Sequence, residues 1–88
     1  MFLWSPIAQA SYIKTLIYLT DNQSKNAAIQ FNEHVEQLLS NVDKLSKNAL
    51  RFSIYYRYTI NKFCTVTYVP TTDIVEIVAF YDSRLKYD

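Results

Sequence analysis

With 88 residues, nine Lys and Arg against eight Asp and Glu, and a formal charge of +1, the chain is expected to form one domain spanning 1–88 and lacks the basic excess of a strong nucleic-acid binder. Half of the residues are apolar and eight Tyr, five Phe and one Trp are among them, enough to build a core without covalent staples. Gly is absent, which excludes glycine-dependent phosphate loops, and the single cysteine, Cys64, excludes an intramolecular disulfide and a cysteine zinc site.

A lone cysteine in a strand reads as a reduced, packed thiol. No apolar run approaches the roughly 20 residues that a membrane-crossing helix needs. Met1-Phe2-Leu3-Trp4-Ser5-Pro6 lacks the basic n-region and long apolar stretch of a signal peptide, so the expected location is the cytoplasm. No cofactor is expected.

Phe2-Leu3-Trp4 reads as a very short strand. Ser5 is a good N-cap and Pro6 suits the first helical position, where its missing N–H would be unpaired anyway. A first helix is predicted from about Pro6 to Leu19, with Ala8, Tyr12, Leu16 and Leu19 as its buried stripe. Ile13 and Ile17 lie on a different side, with Ala10 and Ile7 nearby, so this helix offers a second apolar surface. After the polar break Asp21-Asn22-Gln23-Ser24, a second helix is predicted from about Lys25 to Ser46. Ala28, Phe31, Val35, Leu38, Val42 and Leu45 recur in steps of three and four, a narrow seam for one antiparallel helical neighbour.

At Leu50 the period changes to two. Leu50, Phe52, Ile54, Tyr56, Tyr58 and Ile60 alternate with Arg51, Ser53, Tyr55, Arg57 and Thr59, predicting a half-buried strand whose first part is a candidate loop, since eleven residues is long for a strand. Asn61-Lys62 is a candidate two-residue turn, with Asn tolerating positive φ. Phe63–Val69 is the next strand, with Cys64, Val66 and Tyr68 on one face, and Pro70-Thr71-Thr72-Asp73 is a turn. Ile74–Tyr81 is apolar on both sides and belongs in the middle of the sheet. Asp82–Asp88 reads as a short polar tail. The fold class is α+β: a short N-terminal strand, a two-helix antiparallel hairpin, then a three-stranded antiparallel meander.

Few residues group into recognisable chemistry. His34 sits near Glu33 and Glu36 in a helix, without further metal ligands at matching spacing, and reads as a solvated face. The tyrosines serve a β-rich core, or stack single-stranded bases. Arg57 alternates away from the core side of its strand, and Arg84, Lys86 and Tyr87 follow the last strand. Whether these cations converge depends on the fold.

Together the elements resemble the RelE/ParE family of toxins from bacterial type II toxin–antitoxin operons. Trp4-Ser5-Pro6-x-Ala8 with Leu16, Tyr18 and Leu19 is similar to the family's first strand and helix, and Ala27-Ala28-x-x-Phe31 to its second helix. Arg57-x-x-Ile60, Val66-x-Tyr68 and Val75-x-Ile77-x-x-Phe80-x-Asp82-x-Arg84 resemble the meander and its closing arginine. The resemblance covers roughly residues 2 to 84.

The resemblance implies one of two activities. Ribosome-dependent members cleave messenger RNA, and gyrase-directed members poison DNA gyrase. For a cleaving member the implied catalytic set is Arg57, Arg84, Lys86 and Tyr87. Thr59 and Thr65 stand where further basic residues are expected, which leaves few cations to stabilise a pentavalent phosphate. With the near-neutral charge and long helical hairpin, this favours a ParE-like toxin of the plasmid-stabilisation type that binds and inhibits DNA gyrase. An mRNA endoribonuclease acting on the ribosome and a degenerate, non-toxic member are the alternatives. The implied partner is an antitoxin protein, for which Ile13 and Ile17 are a natural docking surface for an amphipathic helix.

Overall fold

Ser5 and Pro6 set the first turn of the molecule as their chemistry predicts. In the computed structural model, which describes residues 2–85, strand β1 (Phe2–Trp4) runs directly into helix α1 (Pro6–Asn22). The Ser5 hydroxyl accepts from the Ala8 N–H at 3.1 Å, and proline occupies the first helical turn. Ser24 caps helix α2 (Lys25–Ser40) in the same way, accepting from Ala27 at 3.0 Å.

The predicted second helix is interrupted. Asn41 leaves helical geometry (φ −123°, ψ 68°), ends α2, and caps the short helix α3 (Val42–Lys47) through its side chain. An asparagine side chain competes with the helical backbone for N–H groups, and here that competition wins. The break shifts the seam. Val35 and Leu39 are the buried residues in the second half of α2, whereas Leu38 and Val42 are half-buried and Leu45 returns to the core from α3. In α1 the buried set is Ala8, Thr15 and Leu19, with Leu16 half-buried; Thr15 is tolerated because its hydroxyl donates to the Ser11 carbonyl at 3.1 Å.

The remaining strands are β2 (Leu50–Phe52), β3 (Tyr55–Thr59), β4 (Cys64–Pro70) and β5 (Val75–Asp82). They form one five-stranded sheet of order β1-β5-β4-β3-β2, antiparallel except for the parallel β1–β5 pair. The last strand is therefore interior, as its apolar run predicts.

The long strand predicted from Leu50 is instead a hairpin. Ser53, with φ 58°, turns the chain so that Phe52 pairs with Tyr55 and Leu50 with Arg57. Ser53 takes the left-handed conformation that glycine, absent from this chain, would adopt more easily. The two-residue turn also changes the side-chain parity. Tyr56 and Tyr58 keep the core side, while Leu50, Phe52 and Ile54 become exposed. The Ile60–Phe63 connection works through the Asn61 side chain, which accepts from the N–H groups of Phe63 and Cys64 at 2.8 and 2.9 Å, and not through a positive φ.

A register shift in β5 settles which residues reach the interior. Thr67 pairs with Ala79 and Tyr68 with Ile77, leaving Val78 as the extra residue of a bulge. Inward positions are thus Val75 and Ile77 before the bulge, and Phe80 and Asp82 after it. The Val78 carbonyl is taken up by the Ser5 hydroxyl at 2.8 Å. One serine therefore caps α1 and satisfies a carbonyl of the bulged strand.

Helix α1 lies against β5 and α3 against β3. The core between helices and sheet comprises Ala8, Val35, Leu39, Leu45, Cys64, Val66, Tyr68, Val75, Ile77 and Phe80. Tyr12, Phe31 and Phe80 form a tilted and edge-on ring cluster beneath the hairpin. Tyr68, fully buried, stacks on Tyr56 and shares a 3.0 Å hydrogen bond with Ser46. Among the described residues, no helix covers the other face of the sheet.

Candidate functional site

The open sheet face is built by strand alternation. Arg57 and Tyr55 project from β3 on this side, with Leu50 and Phe52 from β2 as their cross-strand neighbours. Thr67 and then Ala79 continue the row of Arg57, and Thr65 and then Tyr81 continue the row of Thr59. Phe52 and Tyr55 stack with centroids 5.9 Å apart, and the Arg57 guanidinium lies 5.7 Å from the Phe52 ring centre. Thr59 and Thr65, the two departures from the expected basic pattern, are direct partners one row from Arg57. Arg57 is the sole cation that the described strands place on this face. Arg51 alternates to the other side, 5.4 Å from the Tyr56 ring centre.

Arg84 lies elsewhere. The β5 bulge turns Asp82 inward, where it is fully buried, and correcting the tail predicted from Asp82, this residue ends the strand as part of the interior. Arg84 folds back on it. Its Nε donates to Asp82 Oδ1 at 3.0 Å, its Nη2 to Oδ2 at 2.8 Å, and its backbone N–H to Oδ1 at 2.9 Å. The guanidinium is sandwiched between Phe63 (4.4 Å) and Tyr18 (4.9 Å). Burial works to raise the Asp82 pKa, but the Arg84 side-chain and backbone hydrogen bonds outweigh it and hold the carboxyl below its ordinary value.

Cys64 completes this cluster, with Arg84 Nη2 3.9 Å from its sulfur. Burial, reinforced by the Asp82 carboxylate, pushes the thiol up to about 12. It is a packed thiol, as expected, and not a nucleophile at neutral pH.

Of the predicted cleaving set, then, Arg57 is on the open face and Arg84 is held on the helix side by Asp82 and Tyr18 of α1. The fold does not bring these two together. Lys86 and Tyr87 lie outside the described residues. Sequence reasoning missed Asp82 as a partner, although the Asp-x-Arg spacing directly after an apolar strand is a legible signal for such a fork.

Ile13 and Ile17 are 48% and 54% exposed. Ile13 lines a groove of about 570 Å³ between the helical hairpin and β1, with Phe2, Leu16, Val35 and Glu36 also in its walls. His34 is exposed on α2. Among the described residues, no three His, Cys, Asp or Glu side chains group to hold a metal ion, and no helix is long and apolar enough to cross a membrane.

This arrangement of strand, helical hairpin and largely antiparallel five-stranded sheet with an open face has solved counterparts. The chain matches a structure of the chromosomal ParDE TA system from P. aeruginosa with a TM-score of 0.69 at 7% identity, covering 92% of each chain. It matches the YoeB–YefM complex from Staphylococcus aureus (TM-score 0.57, 19% identity, 99% of this chain and 97% of that one). It also matches the YoeB/ParE toxin from Agrobacterium tumefaciens (TM-score 0.59, 13% identity, 92% and 96%). The chain has the RelE/ParE-type toxin fold. No protein-family model and no curated protein matches its sequence.

Proposed function

We propose that this chain is the toxin of a type II toxin–antitoxin pair of the plasmid-stabilisation type, working in the cytoplasm, neutralised by a protein antitoxin and acting by binding and inhibiting DNA gyrase. The toxin role is supported by the fold shared with ParDE and YoeB–YefM structures across nearly the whole chain. The antitoxin reading draws on the exposed Ile13 and Ile17, which offer an apolar helix face to an amphipathic segment.

The choice of binding over cleavage is carried by one observation: Arg84 is committed to Asp82 on the helix side, which leaves Arg57 as the cation of the open sheet face among the described strands. Charge developing on a cleaved phosphate needs several donors around it. A binding toxin needs only a surface. The second reading, a ribosome-dependent mRNA endoribonuclease, draws on the stacked Phe52 and Tyr55 beside Arg57, since exposed rings accept unpaired bases.

Induced expression should arrest growth, and co-expression of the neighbouring open reading frame should restore it. The purified protein should inhibit gyrase supercoiling and leave messenger RNA on translating ribosomes uncut. Cuts in the ribosome assay that disappear in Arg57→Ala would establish the endoribonuclease reading instead. Inactivity in growth and both assays would identify a degenerate, non-toxic chain.

A further inference from the structure

Helix α2 keeps both of its carboxylates, together with Lys25, on one side. Glu33 and Glu36 line the outer clefts shared with α1. On the opposite flank Gln30, His34 and Gln37 of α2, Asn41 at the break, Lys44 of α3 and its cap Asn48 line a continuous stretch that carries carboxamides and bases. Two clefts open along this flank and meet at His34. One is closed by Lys44 and Tyr58, and the other, of about 450 Å³, by Gln23, Asn61, Lys62, Phe63 and Arg84. Neither has a carboxylate in its lining.

The second cleft concentrates positive charge. The Lys62 ammonium and the Arg84 guanidinium both lie over the Phe63 ring, 5.0 and 4.4 Å from its centre. The nearby carboxylate, Asp82, is fully buried and already bonded to Arg84. Two of the carboxamides are biased toward donation. Asn41 and Asn61 use their side-chain oxygens to accept from backbone N–H groups, which leaves their NH₂ donors available.

We propose that this flank is a binding groove for an extended, acidic peptide segment of the antitoxin, distinct from the Ile13–Ile17 surface; the inference rests on the toxin–antitoxin reading. Gln30 and Gln37 can pair with both the N–H and the C=O of an extended backbone, Asn41 and Asn61 can donate to its carbonyls, and Lys44 and Lys62 place a cation in each cleft for acidic side chains. The 16 residues of α2 rise about 24 Å, the span of roughly seven residues of extended chain. A nucleic-acid strand of that length presents a phosphate at nearly every step, more charge than Lys44, Lys62 and the Asp82-paired Arg84 answer, and the chain's formal charge of +1 agrees.

The test is a fluorescence-anisotropy titration of the full chain with a labelled octapeptide of alternating Glu and Thr, and with an octameric oligouridine. The peptide should bind saturably, more tightly than the RNA, and weaken with added salt. Lys44→Glu with Lys62→Glu should reduce peptide affinity at least tenfold, while Ile13→Asp with Ile17→Asp should leave it within twofold. Both lysines are exposed, and an unchanged urea midpoint will show that the fold is intact. No saturable peptide binding, preference for the RNA, or loss of peptide binding only in the isoleucine variant would each overturn the proposal. The titration uses neither antitoxin nor gyrase, so its failure leaves the toxin reading standing, and failure of that reading in the growth assay leaves the titration's answer intact.

Discussion

Arg84 grips Asp82 through two parallel hydrogen bonds, Nε to Oδ1 at 3.0 Å and Nη2 to Oδ2 at 2.8 Å, around a carboxylate with no solvent exposure. This fork fixes the exit of the chain from the sheet and removes the closing arginine from the open face.

Arg84→Ala should destabilise the protein by roughly 3–5 kcal/mol, because it strands the Asp82 charge in the interior. Urea unfolding of the purified variant measures this directly. A midpoint within error of wild type would show that the fork contributes nothing. The same reasoning makes Arg84→Ala a poor probe of catalysis, since lost activity would follow from lost fold, and Arg57→Ala is the cleaner variant.

The fork also sets an acid limit. Asp82 titrates below its unfolded value of about 3.9, so its stabilisation is present above that pH and is lost as the pH falls through the folded value. Asp82→Asn should flatten the acid limb of the stability curve. Cys64 gives the opposite limb. Its pKa is raised to about 12, so its contribution is complete below the unfolded value of about 8.5 and is lost as the pH rises through the folded one. At neutral pH, thiol labelling of Cys64 should occur only through unfolding and accelerate in urea in step with the unfolded fraction.

Leu39→Ala should cost roughly 2–5 kcal/mol, since Leu39 is 4% exposed and packs in the main core. Leu38→Ala should cost measurably less, because Leu38 is half-buried at its margin. Equal losses in thermal or urea melts would argue that the break at Asn41 does not reset the seam.

Ser5→Ala should cost roughly 1–2 kcal/mol by removing the α1 cap, and should also leave the Val78 carbonyl without its side-chain donor. Hydrogen exchange should then quicken at Ala8. An unchanged exchange rate there would mean that the cap contributes little.

Much of the fold was legible in the residue order. Ser5-Pro6 and Ser24 act through short-range hydrogen bonds that any chain with those residues can make, and the Cys64-Val66-Tyr68 alternation faces the core as its period requires. The apolar run of β5 likewise announced an interior strand. These features depend on neighbours within a few positions, so sequence alone determined them. Tertiary structure decided the rest. A hairpin turn at Ser53 and a bulge at Val78 each change side-chain parity, and such changes depend on which strand lies alongside, not on local preference. The first exposes Leu50 and Phe52 beside Arg57; the second buries Asp82 and draws Arg84 after it. The separation of the two arginines follows from the bulge alone, because in a sheet a shift of one residue carries a side chain to the opposite face, while Arg57 keeps the outward place that its alternation with Tyr56 and Tyr58 gives it.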